Sequence, residues 1–262
     1  MEICKVITIA FVVILSGCSS ANENDRYGGA DVDRKRDVIE SHGMIENISL
    51  LNDFVEHVQA GEKDSLKIVQ FTTEGDPIFY QLDYDENLNY AIDTTKDSYG
   101  SGEINEYQCD SIKKTETSIE TSFTLEGCSG GSQEILTISH NTEQQDYFEV
   151  SLKTSQYELN TEQLEWIEKS EEGETVTSDF QLSTKDLNEI YKELVFANYL
   201  EEKALSSSCD PDGTDTYKLK VWINSGEREF EWAACENTVD SKAMTAAAQR
   251  IIEIGQAAAA FE

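Results

Sequence analysis

The chain has 262 residues, with 52 Asp and Glu against 20 Lys and Arg, a net charge of −32. Hydrophobic residues at 39% and only two prolines mark a chain that folds rather than a Pro-rich disordered one. With no Lys or Arg cluster to displace counterions from phosphates, nucleic acid is excluded as a partner, and anionic lipid headgroups repel the protein.

The N-terminus carries Lys5, an apolar run from Val6 to Leu15, and then Leu15-Ser16-Gly17-Cys18. This resembles a bacterial lipoprotein signal ending in its lipobox. A run of about ten residues is too short for a hydrocarbon core of about 30 Å, whereas small residues before a cysteine suit cleavage ahead of a lipidated Cys18. Residues 1–17 are then the signal peptide. Their loss removes Glu2 and Lys5 together and leaves the charge at −32. Membrane attachment therefore falls to the lipid, at ~0.8 kcal/mol per buried CH₂. The expected location is the outer face of the cytoplasmic membrane, or the outer membrane if the cell is Gram-negative. Residues 18–36, polar and without apolar periodicity, read as a tether reaching up to about 60 Å at ~3.3 Å per residue.

Beyond it, Asp37 to Gly43 is a short extended piece ending in a turn. Ile48, Leu51, Phe54, Val55 and Val58 repeat at helical spacing, with Ala60-Gly61 as a stop. Leu66–Thr73, Ile78–Tyr84 and Leu88–Ile92 alternate as three strands, joined by Glu74-Gly75-Asp76-Pro77 and Asp85-Glu86-Asn87. Strands over Thr117–Leu125 and Ile135–Ser139 are expected to extend that sheet. Residues 131–174 read as connecting strands and linker, with a strand at Tyr147–Leu152 and a helical turn near Leu164–Trp166. A strand over Thr175–Leu182 then leads to a helix that starts at the Ser183/Asp186 capping box and runs to about Tyr199. Tyr217–Ile223 and Glu229–Ala233 form a hairpin about Asn224-Ser225-Gly226. Met244, Ala248, Ile251 and Gly255 mark a final helix. The fold class is α+β: two small modules, residues 37–130 and 175–262, each an antiparallel sheet packed with helices and stapled by one disulfide.

Cys4 leaves with the signal and Cys18 takes the lipid, so Cys109, Cys128, Cys209 and Cys235 remain. An even number in an exported chain points to disulfides. Three pairings are possible, and separations of 19 and 26 positions favour the local ones. Each such loop is worth ~3 kcal/mol in the chain-entropy model.

Several motifs carry possible chemistry. Gly127-Cys128-Ser129-Gly130-Gly131 matches G-x-S-x-G, but a nucleophile elbow needs a strand leading into a helix, and here a strand follows. His42 could act as a general base with Glu74 and Asp76, a possible ligand site; the bland reading makes all three turn residues. Asp210, Asp212 and Asp215, like Asp93 to Asp97, have closely spaced carboxylates suited to weak calcium binding, although neither run fits an EF-hand loop. No cofactor is implied. Trp222 and Trp232 are expected to pack in paired strands.

His42-Gly43, Asn47 at the helix start, Lys67-Ile68-Val69, Thr73-Glu74-Gly75-Asp76-Pro77, Asp93-Thr94-Thr95-Lys96-Asp97 with Gly100, then Cys109 and Leu125-Glu126-Gly127-Cys128 together resemble an uncharacterised family of Gram-positive surface lipoproteins, domain of unknown function 4362. The resemblance covers about residues 37–130. It implies a Cys109–Cys128 disulfide and a Gram-positive envelope, and it implies no catalytic residue. The expected function is a non-catalytic binding or interaction module with an envelope or secreted partner. The alternatives are an envelope hydrolase using His42 with Glu74 or Asp76, and an acidic calcium-binding surface protein.

Overall fold

The computed structural model describes residues 31–207 and 215–260. They form three antiparallel-dominated sheets and three helices, an α+β fold.

The first sheet has strand order β2-β1-β3-β4-β5-β6. Strands β1 (Val38–Ser41) and β2 (Met44–Glu46) form a hairpin about His42 and Gly43, both at positive φ, 53° and 86°, which is a two-residue turn of type I′. Helix α1 (Ile48–Ala60) buries Ile48, Leu51, Phe54 and Val55, the stripe its sequence spacing predicts. Gly61 ends it at φ 74°. The helix returns the chain so that β3 (Asp64–Phe71) runs parallel to β1. Strands β4 (Pro77–Asp85), β5 (Asn87–Asp93) and β6 (Ile104–Cys109) then complete an antiparallel meander.

Strands β7 (Ser111–Glu116), β8 (Glu120–Glu126) and β9 (Gln133–Ser139) do not extend this sheet, as the sequence pattern suggested. They form a separate three-stranded sheet. The chain turns at Asp110, between β6 and β7, and α1 touches both β3 and β7, so the helix lies between the two layers.

The second large sheet has order β13-β12-β11-β10-β14-β15. Within residues 131–174, expected as connecting strands and linker, the strand expected at Tyr147–Leu152 is β10 (Phe148–Lys153), and β11 (Tyr157–Asn160), β12 (Glu165–Ser170) and the start of β13 (Gly173–Ser178) join it in this sheet. The helical turn expected near Leu164–Trp166 is corrected to a turn followed by β12. Strand pairing with β11 aligns Leu159 with Trp166 and buries both. Helix α2 (Thr184–Phe196) begins at a complete Ser183/Asp186 capping box and ends three residues before Tyr199. Strands β14 (Thr216–Ile223) and β15 (Gly226–Ala233) form the expected hairpin. The final helix α3 (Val239–Ala259) buries Met244, Ala248, Ile251 and Gly255. Trp232 faces Tyr217 across the ladder with ring centroids 5.1 Å apart; Trp222 sits opposite Glu227 instead.

One continuous hydrophobic cluster runs from Val38 through Leu51, Phe123 and Leu152 to Ile251. The two large sheets therefore share a core, with β7–β9 between them in the chain.

Candidate functional site

A groove of about 470 Å³ opens where the three sheets meet. Its walls come from the β1–β2 hairpin, the end of β9, a 3-10 turn at Thr142–Gln144, the end of α2 and the tip of the β14–β15 hairpin. Apolar and polar groups share the lining: Met44, Ile45, Ile138, Leu200 and Ile223 are apolar, Gln144, Gln145 and Asn224 supply side-chain amides, and Thr137, Ser139, Tyr191 and Tyr199 supply hydroxyls. Glu40 and His42 are the ionisable Asp, Glu, His, Lys or Arg side chains among the described residues lining it.

The walls are fixed by bonds between sequence-distant residues. Asn188 Oδ1 accepts from the Thr142 amide at 2.8 Å and its hydroxyl at 2.6 Å, which holds the 3-10 turn on α2. Asn224, at φ 51°, donates to Gln145 Oε1 at 3.0 Å and accepts from the Asp146 amide at 2.8 Å, which holds the hairpin tip. Tyr199 lines the bottom, 1% exposed, its ring edge-on to Tyr191 with centroids 6.3 Å apart. Its hydroxyl is buried beside the Tyr191 phenol, and burial pushes it far above the ordinary phenol range.

His42 is exposed on the groove's rim. Glu74 and Asp76 lie in the β3–β4 turn and do not line the groove. Among the described residues no hydrogen bond or ion pair joins them to His42. Asp76 instead accepts from the Ser98 amide at 2.8 Å, and Glu74 from the Thr73 hydroxyl at 3.1 Å. Turn-shaping accounts for both. Asp93 likewise caps its own turn through Thr95, which holds its carboxyl below the usual range.

Cys109 and Cys128 form a disulfide that ties the end of β6 to the β8–β9 connection. The G-x-S-x-G stretch is that connection. Gly127 and Gly131 take positive φ, and the Ser129 amide donates to Gln108 O at 3.0 Å. Cys235 is disulfide-bonded, while Cys209, Asp210 and Asp212 lie outside the described residues, as does Cys18. Asp215 accepts hydrogen bonds from the Ser155 amide and hydroxyl. Among the described residues no cluster of three metal-ligating side chains occurs, and no helix is long and apolar enough to cross a membrane.

A second polar cluster lies between the small sheet and α2. Lys192, with its side chain 8% exposed, donates to Glu116 and Glu189 at 2.8 Å and sits 3.8 Å from Glu193. Burial alone would lower its ammonium, but hydrogen bonds to the two carboxylates outweigh that and raise it. Nearby His140 is 1% exposed, with Nε2 at 3.3 Å from the Thr121 hydroxyl and Nδ1 unpartnered. This cluster ties the modules together. Sequence reasoning missed it, and it missed Tyr199, because neither shows in a local pattern.

No curated protein and no solved structure matches the chain. Residues 35–124, which hold the first sheet, α1, β7 and most of β8, match the family described as Domain of unknown function (DUF4362), the family that the motifs from His42-Gly43 to Cys109 resemble; Leu125 to Cys128 lie beyond the matched residues.

Proposed function

We propose that this protein is a lipid-anchored, non-catalytic binding module of a Gram-positive cell envelope, displayed on the outer face of the cytoplasmic membrane and engaging an envelope or secreted protein. The groove supports this reading. It lies where both modules meet, and its hydrogen-bonding side chains are mostly uncharged and held by neighbouring bonds, which suits recognition by a pre-organised surface. The lipobox-like Leu15-Ser16-Gly17-Cys18 and the polar stretch to Arg36 support the anchor and tether. The −32 charge supports attachment through lipid rather than through headgroup contacts.

Crosslinking the tagged protein on living cells, with Cys18→Ala as control, tests it. The expected result is one reproducible partner that the control loses. Background capture alone, repeated with two crosslinker chemistries, would sink the reading.

A further inference from the structure

The groove lies between two open sheet edges. Strand β2 ends the first sheet and β9 ends the small one, so each has a side that pairs with no strand among the described residues. The backbone groups on those sides can be identified from register. The His140 amide donates to Ile119 O at 2.8 Å, which makes 119–140 a hydrogen-bonded pair. Alternation along the antiparallel ladder then makes Thr121–Ile138 and Phe123–Leu136 hydrogen-bonded pairs too. Thr137 and Ser139 are left with N–H and C=O pointing away from β8. On the other wall the two-residue turn makes Ser41–Met44 the closing pair, so Ile45 turns its backbone groups outward.

All three residues line the groove, and Thr137 and Ser139 are exposed. Among the described residues no side chain or loop amide bonds to their outward backbone groups, although two residues before Thr137 the Gln70 amide caps the Ile135 carbonyl at 3.0 Å. The free edge thus begins where the groove begins. Charge narrows the class. The chain carries −32, and the described lining holds Glu40 but no Lys or Arg, so an acidic segment is repelled and a basic one is steered in.

We infer that the groove binds an extended, positively charged peptide segment that adds as a strand to the outer edge of β9, its backbone bonded to Thr137 and Ser139. This rests on the binding-module reading and names the chemistry of its partner.

The test uses the mature chain carrying Cys18→Ala and a display library of random nine-residue peptides. Net-positive peptides should be enriched. For the best binder, N-methylation of alternate amides, those facing β9, should weaken the Kd about tenfold or more, while methylating the intervening amides should change it less than about threefold. Thr137→Pro removes one outward N–H at an edge position where proline is tolerated, and should weaken binding by about tenfold.

Failure to enrich any peptide, enrichment of acidic ones, or equal binding to Thr137→Pro and to both N-methylated series would overturn the assignment. So would concentration-dependent dimerisation abolished by Thr137→Pro, which would give the edge to a second copy of the chain. Capture of the same cell-surface partner by wild type and Thr137→Pro alike would sink the groove assignment while leaving the binding-module reading standing.

Discussion

The two large sheets solve the same problem by different means. Each has six strands and must cover an apolar face. The C-terminal sheet is covered by α3, with α2 packed on α3 and reaching the sheet through Tyr191 on Phe148, and it uses large aromatic anchors. Trp166 stacks near Tyr157 and Phe180 with centroids 5.7 and 5.9 Å away, and Trp232 lies on Tyr217 and donates to the Thr245 hydroxyl at 2.8 Å. The N-terminal sheet is covered by α1, with α2 touching it at the edge strand β2, and α1 also packs against β7. Its core is completed by the small sheet, joined to it covalently by Cys109–Cys128. The small sheet therefore belongs energetically to the N-terminal half, even though Lys192 and Asn188 hold it and the following turn to α2. The groove is a by-product of this economy. A sheet that meets its second helix only at one edge leaves the short strand β2 and the edge β9 beside the end of α2.

The largest effects should come from emptying the core on either side. Phe54→Ala in α1 and Ile251→Ala in α3 each remove a side chain with no exposure, at a cost of about 3–5 and about 2–5 kcal/mol. Because one cluster spans both residues, each variant should lower a single cooperative unfolding transition followed by circular dichroism in urea. Two separated transitions, with only one moved by each variant, would break the shared-core description. Next, Cys109→Ala with Cys128→Ala should cost about 3 kcal/mol for a 19-position loop in the chain-entropy model. Hydrogen exchange should report the loss mainly in β6–β9. A loss spread equally over β10–β15 would deny that the small sheet belongs to the first half.

What the sequence made legible follows the same division. Helix α1 was readable because its apolar residues recur at helical spacing and Gly61 supplies the left-handed stop. The β14–β15 hairpin was readable from Asn224 to Gly226, and α2 from Ser183 with Asp186. Strand β6 was not, since its residues are almost all exposed and show no alternation between apolar and polar, and β13 was read only in part, as a strand over Thr175–Leu182 where the structure has Gly173–Ser178. Strand β7 buries only Ile112, too little to signal a separate sheet. Of the site, His42-Gly43 was legible as a turn, and nothing local tied it to Glu74 or Asp76. The rest of the groove depends on which backbone groups of β9 face outward and on Tyr199 beyond the end of α2. Long-range register decides both, and no window of neighbouring residues contains it.

Smaller perturbations sharpen the contrast between aromatic and ionic ties. Gly255 lets α3 approach the Trp166 ring so closely that an added Cβ would stand 2.4 Å from Cζ3. Gly255→Ala should therefore destabilise by about 1–3 kcal/mol through overpacking, despite the better helix propensity of alanine. A stability gain in thermal melts would show that the ring can move aside.

The smallest effect concerns the ionic tie and its sign. Burial, and then the Lys192 charge, hold the His140 imidazole below its ordinary value, with Glu116 and Glu189 opposing that shift. Above the unfolded value near ~6.5 neither state carries the proton. As pH falls below it, the unfolded chain binds a proton that the folded one refuses, so stability drops on acidification, by at most about 1.4 kcal/mol per pH unit. Urea midpoints of wild type and His140→Gln, compared at pH 7.5 and at pH 5, isolate this from Glu116, Glu189 and Lys192, which both proteins share. Wild type should lose stability relative to His140→Gln at the lower pH. The opposite sign would mean that Glu116 and Glu189 outweigh burial and Lys192, so that the junction accepts a proton at His140 and tightens in acid, making the ionic tie between the halves stronger where the aromatic one is indifferent.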